Sequence, residues 1–207
     1  DKSVSRGLGD VYKRQHIIVG VAWIGTSFYF NWLDSRLERD DPDFKHLDGY
    51  LWSVHSGGFY RIEKLKGPPK KLPKVLHWFK WEAYATWISG FVLLILVYYL
   101  NASSMMLGAS GIILTPFQAI LISIFLLIGS WLLYDYLCKN VLKDNEQTLI
   151  ATGVLLFVLL SYFLTQIYGS RAAYIHVGAI IGTIMAANVF RVIIPAQTNL
   201  VTSAEIK

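Results

Sequence analysis

Two histidines stand at the starts of two apolar runs. His16 opens the first run, and His176 lies five residues after Arg171, near the start of the last. An ionisable ring just inside a bilayer is costly to bury, so it marks a functional position by default. In a chain that crosses the membrane in strict alternation, these two rings enter from the same side at similar depth. A facing pair of imidazoles is what a haem iron takes as axial ligands. The spacing therefore predicts a b-type haem held by His16 and His176. Arg171 reads either as the partner of a propionate at the surface, because guanidinium pairs well with planar carboxylates, or as a snorkelling interfacial cation. His16, Gly20, Trp23 and Ser27 share one helix face, and Gly20 would let a flat macrocycle lie against the backbone.

A second set of candidates sits at the opposite end. The second run opens His77-Trp78-Phe79-Lys80-Trp81-Glu82. Glu82 is the deepest carboxylate and a candidate for a proton or substrate role. Trp78 and Trp81 suit an interfacial belt. His55 lies in a long polar connection and reads as a general base, a second-site ligand or a surface residue. Lys80 with Glu82 could form part of a polar site just inside the second run. His46, set among Asp41, Asp43, Lys45 and Asp48, reads as solvated. Met105-Met106 lacks the patterned histidine that copper would need. There is no CxxC, HExxH, phosphate-binding glycine loop or GxSxG. The single Cys138 excludes an internal disulfide framework and a CxxCH haem attachment within this chain.

The elements that must position these residues are helices in a membrane. The chain has 207 residues, of which 54% are hydrophobic and only 16% charged, with a mean hydropathy of +0.44. A bilayer core takes roughly 20 apolar residues per helix. The reading is an all-α integral membrane bundle of about five spans, near 16–34, 78–100, 116–138, 148–168 and 171–194, with one long loop at 35–77. The membrane domain covers 16–197, and 198–207 reads as a truncated tail. The first fifteen residues are charged and aperiodic and abut the first run without transition. They read as a non-native, adapter-derived segment outside the fold.

Lys and Arg crowd into the long loop: Arg36, Arg39, Lys45, Arg61, Lys64, Lys66, Lys70, Lys71 and Lys74. The connection 101–115 carries no charge, and the third carries Lys139 and Lys143. The positive-inside rule puts the long loop in the cytoplasm and the N-terminus in the periplasm. The basic pI near 9.2 is then explained by orientation and anionic lipid rather than by nucleic acid. Thr115-Pro116 reads as a helix start, Asn145 or Thr148 as a cap, and Pro195 as the end of the last span. Ser56-Gly57-Gly58 and Gly67-Pro68-Pro69 are turn signals. The stretch 59–66 between them is a short strand or a helix.

Several long blocks resemble the bacterial membrane-bound urate hydroxylase family, whose membrane region is called the urate oxidase N-terminal domain. These blocks are HIIVGVAWIGTSFYFNWLD from His16, GYLWSVHSGGFY from Gly49, LHWFKWEAYATWISG from Leu76, and RAAYIHVGAIIGTIMAAN from Arg171. The resemblance runs from His16 to about Gln197. It implies an inner-membrane protein of about eight spans with a C-terminal cytochrome c domain carrying haem c, of which this chain would be the N-terminal part. It also implies oxidation of urate to 5-hydroxyisourate, with electrons leaving through cytochrome c or a downstream oxidase. On this reading urate binds between the inner loop and the helix ends, facing Arg61 or Lys80. His55, His77 or Glu82 acts as the base, and a haem on His16 and His176 takes the electrons. His55 with His77 would hold a second haem if one is needed to span the bilayer. Two rivals are a haem-binding electron-transfer subunit without its own catalysis and a purine or proton transporter.

Overall fold

The computed structural model describes residues 2–39, 41–69, 71–108, 112–141 and 145–205. Asp1, Lys70 and Lys143, which entered the readings above, lie outside them. Helix α1 (Lys2–Arg36) is followed by a hairpin of β1 (Leu47–His55) and β2 (Gly58–Leu65). Then come α2 (Trp81–Leu93), the short α3 (Ala102–Met105), α4 (Pro116–Tyr136), α5 (Glu146–Ile167), α6 (Ser170–Asn188) and α7 (Ile194–Glu205). Three stretches of wider π winding extend the helices: Leu94–Tyr99 after α2, Leu137–Val141 after α4, and Val189–Ile193 between α6 and α7.

This is an all-α membrane bundle with one added hairpin. Among the described residues, four helical stretches are long and apolar enough to cross a membrane: Trp81–Tyr99, Pro116–Val141, Gln147–Ile167 and Ser170–Ala204. Helix α1 packs along α2 as a fifth member. Its Thr26, Ser27 and Asn31 make it more polar than the other four. α1 is continuous from Lys2, so residues 2–15 are helical rather than outside the helix.

Local chemistry sets the helix ends. Thr115 caps α4: its hydroxyl accepts from the Gln118 N–H, the Gln118 side chain accepts from the Thr115 N–H in return, and Pro116 fills the first turn. This reciprocal box satisfies donors that the first turn leaves orphaned. Asn145 caps α5 by accepting from the Thr148 N–H. Pro195 does not end the last helix, contrary to the sequence expectation. The π turn at Val189–Ile193 precedes it and absorbs the missing donor and the ring clash, so the helix runs on to Glu205.

The stretch 59–66 is mostly strand. Ser56 and Gly57 both have positive φ, 49° and 76°, the two-residue turn whose twist matches antiparallel strands. The hairpin is tied to the end of α1: Tyr50 and Glu38 exchange backbone hydrogen bonds, and Lys64 pairs with Asp34 and Asp48.

α6 is the hub and contacts α2, α4 and α5. The core lies toward the α5–α6 turn, where Leu94, Tyr98, Met106, Leu164, Tyr168 and Ile180 pack together. At that turn Gly169 donates to the Met106 carbonyl at 2.8 Å. A Cβ on Gly108 would stand 2.6 Å from the Gly169 Cα, so only glycine allows this approach.

Candidate functional site

Among the described residues, one cavity lies toward the hairpin end and another nearer the middle of the bundle. The middle cavity has a volume of about 490 Å³ and lies among α1, α2 and α6. His16 is on its wall. The His16 Nδ1 is 3.1 Å from the Thr86 carbonyl and 3.1 Å from the Ser89 hydroxyl. The Ser89 hydroxyl proton is directed to the Ala85 carbonyl at 2.7 Å. Both neighbours of Nδ1 are therefore acceptors, so Nδ1 carries the proton and Nε2 presents a lone pair. The ring fits because residue 90 is glycine: a Cβ there would stand 2.9 Å from the His16 Cε1. Trp87 and Phe91, stacked parallel at 5.3 Å, both line the cavity, and Trp87 is fixed by donating to the Thr183 hydroxyl at 3.0 Å.

His176 is not on that wall. It is fully buried, and both ring nitrogens are used. Nδ1–H donates to the Ala172 carbonyl at 2.7 Å, and Nε2 accepts from the Ser123 hydroxyl at 2.8 Å. Ser123 in turn accepts from the Tyr99 hydroxyl at 2.6 Å. The Tyr168 and Tyr98 rings flank the imidazole, with centroids 4.6 and 6.2 Å away. The two histidines also differ in depth. His16 packs at Gly90, midway along the second span, while His176 packs at Tyr98, its far end. Eight residues of helix separate those levels by roughly 12 Å. The expected His16–His176 axial pair is therefore not assembled. His16 sits deeper than its place in the apolar run suggested, because α1 continues for several turns before it. Arg171, expected beside a propionate, is exposed and does not line the cavity.

The hairpin-end cavity, about 400 Å³, is lined by Trp23, Ser27, His77, Trp78, Phe79 and Gln197, among others. The connection before α2 delivers His77, whose ring stands edge-on to Phe79 at 4.5 Å. The continuation of α6 through α7 delivers Gln197. Sequence reading found His77 but passed over Gln197. The signal for it was a carboxamide two residues beyond a proline that did not stop the helix. Trp23 belongs to the walls of both cavities.

The other expected site residues lie apart. Arg61 is held in the hairpin: its guanidinium stands 4.3 Å above the Phe44 ring and 4.9 Å above Tyr50. Its Nε lies 2.9 Å from the Glu63 carboxylate but without hydrogen-bond alignment. Arg61 lines neither cavity, and such aromatic stacking reads as structural. His55 is exposed at the hairpin tip and shares a 2.9 Å hydrogen bond with Ser56, so the pairing of His55 with His77 around an iron is not formed. Lys80 stands over Trp78 and Trp81 at 5.8 and 5.5 Å, beside the cavity mouth rather than in it. Glu82 is partly buried, and its Oε2 has no partner among the described residues.

Among the described residues no group of three His, Cys, Asp or Glu side chains could hold a metal ion. No curated protein and no solved structure matches the chain. A family model described as urate oxidase N-terminal matches residues 8–207, nearly the whole length. An apolar bundle with these cavities and that match gives the chain a urate-related place: it belongs to the urate oxidase N-terminal family.

Proposed function

We propose that this chain is the membrane part of an enzyme that oxidises urate to 5-hydroxyisourate, with the hairpin-end cavity as the substrate site. The observation that carries the reading is the chemistry of that cavity. One imidazole (His77), one carboxamide (Gln197) and two hydroxyls (Thr26, Ser27) stand among aromatic walls. A purine needs flat apolar faces to lie against and paired donors and acceptors at its edge. A carboxamide offers one of each, and polar groups set in apolar walls fix orientation.

In the reaction a C5–O bond forms with the oxygen of water, and two protons and two electrons leave. His77 acts as general base on water or on a purine N–H. Lys80, beside the mouth, attracts the urate anion. The electrons leave to a cytochrome c domain of a longer parent chain, or to an oxidase beyond it. The crowding of Lys and Arg at the hairpin end supports a bacterial inner-membrane protein with the hairpin cytoplasmic and the N-terminus periplasmic.

The test uses the full-length parent in detergent, with urate binding followed by tryptophan fluorescence and turnover by urate-dependent cytochrome c reduction. Gln197→Ala is expected to weaken binding about tenfold, the loss of one hydrogen bond to the purine edge. His77→Gln is expected to keep binding and lose about 100-fold in turnover. Normal turnover in both variants would overturn the site. Urate uptake into vesicles without oxidation would overturn the activity.

A further inference from the structure

We propose that the middle cavity takes a haem-class macrocycle whose iron has His16 as its one ligand from this chain, and that His176 is not a ligand. The inference does not depend on where urate binds. It starts from the His16 tautomer. With Nδ1–H directed to the Thr86 carbonyl and the Ser89 hydroxyl, Nε2 is a lone-pair donor with no partner among the described residues. It is not a buried unpartnered atom, so it keeps exposed surface on a residue that walls the cavity. A metal-bound histidine has this arrangement, its second nitrogen anchored to a carbonyl. A ligand needing a hydrogen bond from Nε2, such as a quinone carbonyl, is not served by it.

Among the described residues the cavity wall offers one imidazole and no cluster of metal-binding side chains, so a bare metal ion would lack ligands there. A metal that arrives already held in a flat ring of nitrogens needs only an axial base. The cavity has room for such a ring. Its volume is about 490 Å³, the parallel rings of Trp87 and Phe91 stand on its wall, and on α6 a Cβ added at Gly178 or Gly182 would meet nothing within 4 Å. Charge for a carboxylate substituent stands on the wall at Lys13. When bound, such a group carries single electrons. The residues of this chain orient the base, shape the slot and exclude water.

The experiment measures acid-extractable haem, as distinct from covalently attached haem, in the full-length parent as purified and after hemin titration. About one extractable haem per chain is expected. His16→Gly should lose it, and added imidazole should restore its spectrum. Gly182→Leu should lose it with His16 intact, because the new side chain fills the slot. His176→Ala should retain it; because that variant removes a buried side chain, Ser123→Ala is measured beside it and should also retain it. Size exclusion and far-UV circular dichroism check folding. The proposal is overturned by a wild-type protein that holds no extractable haem, by His16→Gly with unchanged content, or by loss in folded His176→Ala or Ser123→Ala equal to that in His16→Gly.

Discussion

Trp23 stands two helical turns from His16 on the same side of α1, and it is a wall shared by both cavities. Its indole thus borders both the proposed substrate chamber and the chamber that holds His16. Truncating it to alanine removes that shared wall, whereas phenylalanine keeps an aromatic one. Urate-driven reduction of cytochrome c is expected to fall at least about tenfold in Trp23→Ala, a loss of about 1.4 kcal/mol in barrier terms. Trp23→Phe should stay close to wild type. Equal rates in the two variants would mean that the shared wall has no role in transfer.

His176 is expected to matter for stability. Ser123→Ala removes the donor to a buried Nε2 and the acceptor for Tyr99. Leaving a buried acceptor unmatched costs about 1–3 kcal/mol. Thermal unfolding in detergent should shift down accordingly, and His176→Ala should shift further because it also empties a packed site between Tyr168 and Tyr98. Unchanged unfolding in Ser123→Ala would show that the bond contributes nothing.

The hairpin should report pH at both extremes. Hydrogen bonding to Lys64 holds the Asp34 carboxyl below its ordinary value. That contribution is present above the ordinary carboxylate value and is lost as pH falls through the lowered one. Lys64 is raised, chiefly by its hydrogen bond to Asp34, and Tyr50 is pushed up to about 12, chiefly by its hydrogen bond to Asp41. Those contributions are present below the ordinary values and are lost as pH rises through the raised ones. Hydrogen exchange of hairpin amides should therefore speed up in strong acid, and Asp34→Asn should abolish that acid response. A phenolate titration should show one tyrosine ionising near 12, returning toward the usual range in Asp41→Asn.

Glu82 separates structural from chemical use of a carboxylate. Its Oε2 is buried and unpartnered among the described residues, so as an anion it is a burden on the fold. Glu82→Gln should unfold at the same temperature or slightly higher. If the carboxylate moves a proton in turnover, the same variant should lose at least about tenfold in rate. Unchanged rate together with unchanged stability would remove Glu82 from the mechanism.

What was readable in the chain was what is local. The Thr115-Pro116-Gln118 start of α4 and the Asn145 cap use groups within one helical turn, so composition and order announce them. Ser56-Gly57 announced a turn, but not that both flanks were strands, because aromatic alternation suits more than one element. Depth was not legible. His16 looked like a helix mouth when residues 1–15 were set aside, yet its level in the bundle is fixed by Gly90 on another helix, seventy-four positions away. Ser123, which fills the His176 lone pair, looked like an ordinary small residue in an apolar run. Pro195 misled because a wider turn upstream changes what a proline can tolerate, and that winding depends on backbone accommodation rather than on residue type.

The unbroken rod from Ser170 to Ala204 is 35 residues long, roughly 52 Å at 1.5 Å per residue, against about 30 Å of hydrocarbon. Val189, where the rod begins to wall the hairpin-end cavity, is already about 28 Å from its start. A water-borne anion arriving there need never partition into oil. On the proposed reading, protons and water are exchanged among the lipid headgroups, and what crosses the greasy interior is the electron.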